Sequence, residues 1–232
     1  MRRRASGAAT VAAILAAGGL LAVAARPATA QQERALRILD AAEARYAAAR
    51  TVCSNFVQRL DVTLLKETRT GKGRLCRRQP DRFAMRFTDP PGDEVVVDGS
   101  AVWIYYRSVD STQVMKYPVT DAPGGYDFQR QFLSDPASKY TVTYETRERV
   151  AGHMCHRIRL VPKQEMSFKS AVVWVDTSDS LLRQVRVQEE NGSIRTLTLE
   201  SVELDPKVPA SWFTFTLPKG VRVISPGGGV GG

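Results

Sequence analysis

The chain is poor in the residues that most often do chemistry: 232 residues contain two histidines and three cysteines. His153, Cys155 and His156 form the one grouping, HMCH, that invites a metal. On an extended strand His153 and Cys155 share one face while His156 turns to the other, so the three do not converge on one ion. No G-x-S-x-G elbow occurs, and no glycine-rich phosphate loop opens a helix. The expectation is a protein without metal, cofactor or catalytic centre. Past residue 30 there is no run of basic residues of the kind that marks a nucleic-acid surface. Nor is there an apolar run long enough to span a membrane.

The first thirty residues are different in kind. They hold no acidic residue; Arg2, Arg3 and Arg4 precede an uncharged apolar stretch from Ala8 to Ala25, and Ala28-Thr29-Ala30 follows as an A-x-A triplet. This is the pattern of a cleaved signal peptide, expected over residues 1–30, with the product exported to the periplasm. Setting aside Arg2, Arg3, Arg4 and Arg26 lowers the formal charge from +9 to +5, a mild excess that allows transient membrane proximity but selects no partner. Residues 31–224 have the size of one domain. The tail from 225 to 232 is glycine-rich and expected to be disordered.

Gln31 to Arg50 reads as a helix, with Leu36, Leu39, Ala42 and Tyr46 at helical spacing. The pattern then becomes extended. Phe56 to Leu65 and Thr70 to Arg78 make a hairpin. Arg82 to Phe87 alternates, with Phe83, Met85 and Phe87 on one face and Arg82, Ala84 and Arg86 on the other. Val95 to Val97, Val102 to Tyr106 and a strand ending near Pro118 continue it. Pro123-Gly124-Gly125 is a loop, and Tyr126 to Leu133 a short helix ended by Asp135-Pro136. Strands resume from Tyr140 to Val150, Met154 to Val161, Ser170 to Asp176, Leu181 to Glu189 and Ser193 to Leu204. The last two are joined by the Asn-Gly of ENGS, a type I′ signal. A stretch from Trp212 to Ile224 closes the fold. Short connections argue for antiparallel meandering, and a long antiparallel sheet must curl. The expected fold is mainly β: an unclosed antiparallel barrel of roughly eleven strands with a lid of short α-helices.

Several segments, in order along the mature chain, resemble those of the LolA family, periplasmic carriers of outer-membrane lipoproteins. They are FVQ (Phe56 to Gln58), GRL with PDRF (Gly73 to Phe83), DPPGDEVVVDGSAVWIYY, IRLVPK (Ile158 to Lys163), VWVD (Val173 to Asp176) and FTFTLPKGVRVI (Phe213 to Ile224). The resemblance implies a half-barrel whose apolar cavity accepts acyl chains, acting as a monomer. It implies acylated lipoproteins as cargo, an inner-membrane ABC transporter as loader and an outer-membrane receptor as acceptor. Two positions depart from the family pattern. Its arginine before the proline, implicated in latching the lid, falls on Gln79, with Arg77 and Arg78 just before it, so Arg77, Arg78 and Gln79 are all candidates for the latch. Its tryptophan in the next strand falls on Met85.

On this reading Phe83, Met85, Phe87, Val96, Trp103 and Tyr105 line the cavity, with Ile158 and Leu160 from another strand. Leu36, Leu39 and Tyr46 on the first helix and Phe128 and Phe132 on the insert are the lid contacts. Each residue alone suits an ordinary packed core equally well, and alternation does not say which face points inward. Two rivals stay open: a carrier or sensor of another lipid, and an envelope-stress regulatory module that recognises a protein on a similar barrel.

In an oxidising compartment three cysteines suggest one disulfide and one buried thiol. Cys53 and Cys76 lie at the same end of one hairpin and are the favoured pair. Non-reducing peptide mapping is expected to recover Cys53 linked to Cys76 with Cys155 alkylatable only after unfolding. A Cys76–Cys155 peptide or three free thiols would contradict it.

Overall fold

The computed structural model describes residues 27–119 and 127–225. Most of the expected leader, the loop at Pro123-Gly124-Gly125 with the start of the expected short helix, and the glycine tail from 226 lie outside them. Helix α1 (Pro27–Ala47) starts before the expected mature end, with a proline at its first position, where the missing N–H costs nothing. Six strands follow: β1 (Thr51–Val62), β2 (Glu67–Arg78), β3 (Arg82–Asp89), β4 (Pro91–Asp98), β5 (Ala101–Tyr105) and β6 (Gln113–Pro118). Two short helices, α2 (Phe128–Phe132) and α3 (Pro136–Lys139), lead into β7 (Tyr140–Val150), β8 (His153–Pro162), β9 (Phe168–Asp176), β10 (Leu182–Glu189) and β11 (Ile194–Leu204). A 3-10 turn (Ala210–Phe213) and β12 (Arg222–Ile224) complete it.

The twelve strands of the described residues form one sheet in the order β12-β6-β5-β4-β3-β2-β1-β11-β10-β9-β8-β7. Two antiparallel meanders are thus joined where β1 pairs with β11, and β7 is left unpaired with β6 or β12 across the gap. This is an unclosed barrel with one strand more than expected, and the extra strand, β12, runs parallel to β6. Three local expectations change. Asp135-Pro136, read as a helix end, instead starts α3, with Pro136 in its first turn. The β10–β11 loop closes from the Glu189 N–H to the Ser193 carbonyl with Gly192 alone at positive φ, 84°, so it is longer than a two-residue type I′ turn. Between Trp212 and Ile224 only β12 is strand.

The sheet has two apolar faces. Leu75, Met85, Val95 and Ile104 stand opposite one another across β2 to β5 and belong to the main core. One residue along, Cys76, Ala84, Val96 and Trp103 form the ladder on the reverse face, covered by Phe213 and Phe215 of the C-terminal segment. Cys53 and Cys76 face each other across β1 and β2 and are joined in a disulfide on this reverse, convex side. The arginines alternating with the apolar residues anchor that segment. Arg86 is paired with Glu94 and donates to the Trp212 and Thr214 carbonyls, both at 3.2 Å. Arg78 donates to the Val208 carbonyl and lies over the Phe213 ring at 4.7 Å.

The β4–β5 turn is closed by one carboxylate. Asp98 accepts from the Ser100 and Ala101 N–H groups at 2.9 Å, the Ser100 hydroxyl at 2.8 Å and the Trp103 indole at 2.8 Å. Burial alone would raise its pKa. The donors outweigh it and bring Asp98 down to about 2 from an ordinary 3.8. A carboxyl lowered on folding stabilises fully above its unfolded pKa and loses that contribution as pH falls towards the folded value. Asp98→Asn should therefore lower the urea midpoint at pH 7, and its gap from wild type should shrink between about pH 4 and about pH 2. A gap independent of pH would mean that the charge contributes nothing.

Candidate functional site: an apolar concave face under a helical lid

Three strands dictate the local shape of the concave wall. On β3, Phe83, Met85 and Phe87 point into the main core. Phe87 meets Phe56 of β1 edge to face, with ring centroids 5.0 Å apart. It reaches across β2 because Gly71 and Gly73 stand beneath it. A Cβ on Gly71 would lie 2.9 Å from the Phe87 ring, and one on Gly73 only 2.1 Å from the Arg86 carbonyl oxygen. These glycines in a strand interior mark close backbone approach. Across the barrel Ile158 and Leu160 of β8 belong to the same core, with Val173 opposite Ile158.

The lid lies over this wall. On α1, Ala35, Leu39, Ala42 and Tyr46 are buried on one stripe. Leu36 is partly buried against the core. The Tyr46 hydroxyl accepts from the Leu182 N–H at 3.0 Å, and burial keeps it far above the usual phenol range. From α2, Phe132 packs against Phe168 and Tyr140 at 5.8 and 6.2 Å, with Phe128 at the margin. Tyr140 donates its hydroxyl to the Gln131 carbonyl at 3.0 Å, and burial raises its pKa to about 12. Leu39 and Phe132 are both 0% exposed, so this is a closed arrangement in which lid side chains cover the wall.

Polar contacts hold the lid at one corner. Arg77 donates from Nε to Asp127 Oδ2 and from Nη1 to Gln129 Oε1, both at 3.2 Å. Asp127 also caps α2 by accepting the Arg130 N–H at 3.0 Å. Gln79 donates from Nε2 to the Ala47 and Ala49 carbonyls at 2.9 and 3.0 Å, tying down the end of α1. Arg130 returns a bond to the Pro80 carbonyl at 3.0 Å. Of the three latch candidates, Arg77 and Gln79 touch the lid elements and Arg78 does not; it turns outward to the C-terminal segment.

Three cavity candidates are on the other side of the sheet. Val96, Trp103 and Tyr105 belong to the convex cluster, where Trp103 stacks on Phe215 at 5.0 Å and Tyr105 meets it edge-on at 6.1 Å. The cause is register: Met85 stands opposite Val95, not Val96, and Val96 opposite Trp103. Their strands carry no alternation to reveal this, because Val95 and Val96 are 2% and 0% exposed on opposite faces. The concave positions on those strands are Val95, Val102 and Ile104. Phe56, Tyr140 and Phe168 were also not singled out as cavity residues; Tyr140 and Phe168 are the first residues of β7 and β9, where a period is hardest to read, whereas Phe56 lies midway along β1. His153 binds Asp176 at 2.7 Å, while His156 lies beside Tyr144 on the concave side. Cys155 is buried in a small cluster with Val172 and Trp174, and burial, with Asp176 nearby, raises its thiol pKa to about 11.

Residues 47–216 match the family model described as outer membrane lipoprotein carrier protein LolA. The outer-membrane lipoprotein carrier protein of Legionella pneumophila strain Lens is 27% identical over 178 residues, 76% of this chain and 84% of its own. That of Alkalilimnicola ehrlichii is 26% identical over 151 residues, 65% of this chain and 66% of its own length. Among solved structures, an uncharacterised conserved protein from Thermus thermophilus shares the fold with a TM-score of 0.54 at 16% identity, over 83% of this chain and 99% of that one. The chain belongs to the LolA family of outer membrane lipoprotein carrier proteins.

Proposed function

We propose that this protein is a periplasmic, non-catalytic carrier. It takes the acyl chains of lipoproteins onto its concave face beneath the lid, receives them from an inner-membrane ABC transporter and carries them to an outer-membrane receptor. One observation supports this most directly: a continuous apolar wall is covered by one long and two short helices that are fastened by a handful of polar contacts, chiefly from Arg77, Gln79, Tyr46 and Tyr140. Family membership supplies the cargo class.

The energetics require such a shield. Burying a methylene is worth ~0.8 kcal/mol, so a triacylated cargo of roughly 45 methylenes would meet a penalty of tens of kcal/mol in open water. Release requires competition. Leu39, Tyr46 and Phe132 cover the wall when it is empty, so cargo gains only the difference between its own contacts and theirs. The lid thereby turns a very tight interaction into a transferable one. Native mass spectrometry of protein isolated with its lipids would distinguish acylated peptide from phospholipid or glycolipid.

Met85→Glu sets a carboxylate into the wall, where an uncompensated charge costs several kcal/mol. It should abolish binding of a fluorescent acyl probe while the circular dichroism stays native-like. Val57→Glu, on the half-exposed outer side of β1, should leave binding within twofold. Equal losses in both variants would overturn the assignment of the concave face.

Arg77→Ala removes the contacts to Asp127 and Gln129 from the closed lid. A half-buried ionic contact of this kind is worth ~1 kcal/mol, so acyl-probe affinity should rise roughly fivefold as closure competes less well. Amide exchange should quicken across residues 128–132. Slower exchange or weaker probe binding would show that Arg77 serves the open state instead.

A further inference from the structure

We propose that the β1–β2 tip is a membrane-contacting element, with Leu64 and Leu65 entering the headgroup boundary of a phospholipid bilayer. Leu64 is 81% and Leu65 59% exposed, the two adjacent in sequence at the end of the hairpin. Scattered exposed leucines are ordinary on protein surfaces, but a pair displayed together on a defined turn is not scattered. The turn is held in shape. The Lys66 N–H donates to the Thr63 carbonyl at 3.3 Å with Lys66 at φ 53°, and the Thr63 hydroxyl donates to the Gly192 carbonyl at 2.8 Å. It also stands clear of the neighbouring strand. The last β2–β3 pair is Lys72 with Asp89, so β2 continues from residue 71 to residue 67 without β3 beside it. Val109, 75% exposed between β5 and β6, lies at the same end of the sheet.

Charge and size decide what the tip fits. Arg59 is bound to Asp61 at 2.7 Å and Arg69 to Glu67 at 3.2 Å, which leaves no charge pattern for an acidic or basic protein to read. Lys66 is the one cation of the turn, and its stem can follow the leucines while its ammonium stays among headgroups. Two leucine side chains are far smaller than the ~1,000 Å² a specific protein interface needs. A bilayer has no such threshold, and a small apolar insertion gives weak, reversible attachment. The inference extends the carrier reading: a carrier that touches the membrane itself presents its cargo where acyl chains can leave without crossing water. Its test is independent of that reading because it uses the empty protein.

The experiment is co-flotation of the purified protein with vesicles of neutral phosphatidylcholine and of phosphatidylcholine with phosphatidylglycerol. Wild type should float with both, in low and high salt alike. The double variant Leu64→Glu with Leu65→Glu should bind at least about tenfold more weakly, with an unchanged urea midpoint and unchanged acyl-probe affinity. As a second measurement, Leu64→Cys labelled with an environment-sensitive fluorophore should shift to the blue on both vesicle types. The proposal is overturned if wild type floats with neither composition, or if the double variant floats like wild type. It is also overturned if binding needs anionic lipid and vanishes in salt, or if the label shifts only on self-association. Wild-type protein that floats with vesicles but fails to bind the acyl probe, with the double variant losing flotation, would support the membrane tip and count against the carrier reading alone.

Discussion

The pairing of β1 with β11 holds the molecule together as one sheet. Without it the chain would be two separate meanders, β1 to β6 and β7 to β11, each with an apolar face too large to leave wet. The pairing is not uniform: a register irregularity follows Asn55, where the partner changes from Ser201 to Leu199. An extra residue of this kind bends and twists a strand. Here it is Glu200 of β11, opposite the step from Asn55 to Phe56, and Phe56 meets Phe87 on the concave side. Curvature, closure of the two halves and the first aromatic contact of the wall therefore arise within a few residues.

Both sides of the first half of the sheet are dry, but for different reasons. The inner side carries the wall and the lid. The outer side carries the disulfide and the C-terminal segment, pinned through Arg78 and Arg86 to backbone carbonyls. The arginines that alternate along β3 belong with this second layer, apart from the apolar site. The outer layer is fixed by charge-assisted bonds from Arg78 and Arg86, over strands β1 and β2 that are themselves joined by the disulfide, whereas the inner cover is held by contacts such as those of Arg77 and Gln79.

The sequence was legible wherever one face of an element was wet. Phe83, Met85 and Phe87 stand out because Arg82 and Arg86 separate them, and the α1 stripe stands out because charged residues fill its other side. Val95 to Val97 and Val102 to Tyr106 did not disclose their register, since both faces are buried and a two-residue period disappears. The C-terminal stretch misled in another way. Phe213 and Phe215 do alternate, and they do face an apolar layer, but they pack on top of the sheet without extending its hydrogen-bonded ladder. Alternation reports a buried face, not a paired strand. At the latch, Arg77 and Arg78 are indistinguishable by type, and only their opposite directions across β2 separate the lid contact from the outer one.

An open barrel has two sheet edges, and each is handled differently. On one side β12 covers part of β6 with only three residues, and β6 ends at a proline. On the other, α1 packs along β7. Short edges and covered edges offer poor templates for another strand. On the proposed carrier reading the apolar interior is uncovered in use, and each opening would expose greasy surface that an available edge could join to a second molecule. The β6–β12 edge stays short whatever α1 does, whereas β7 is covered only while α1 lies along it, so a closed lid would guard against strand pairing as well as against wetting of the wall.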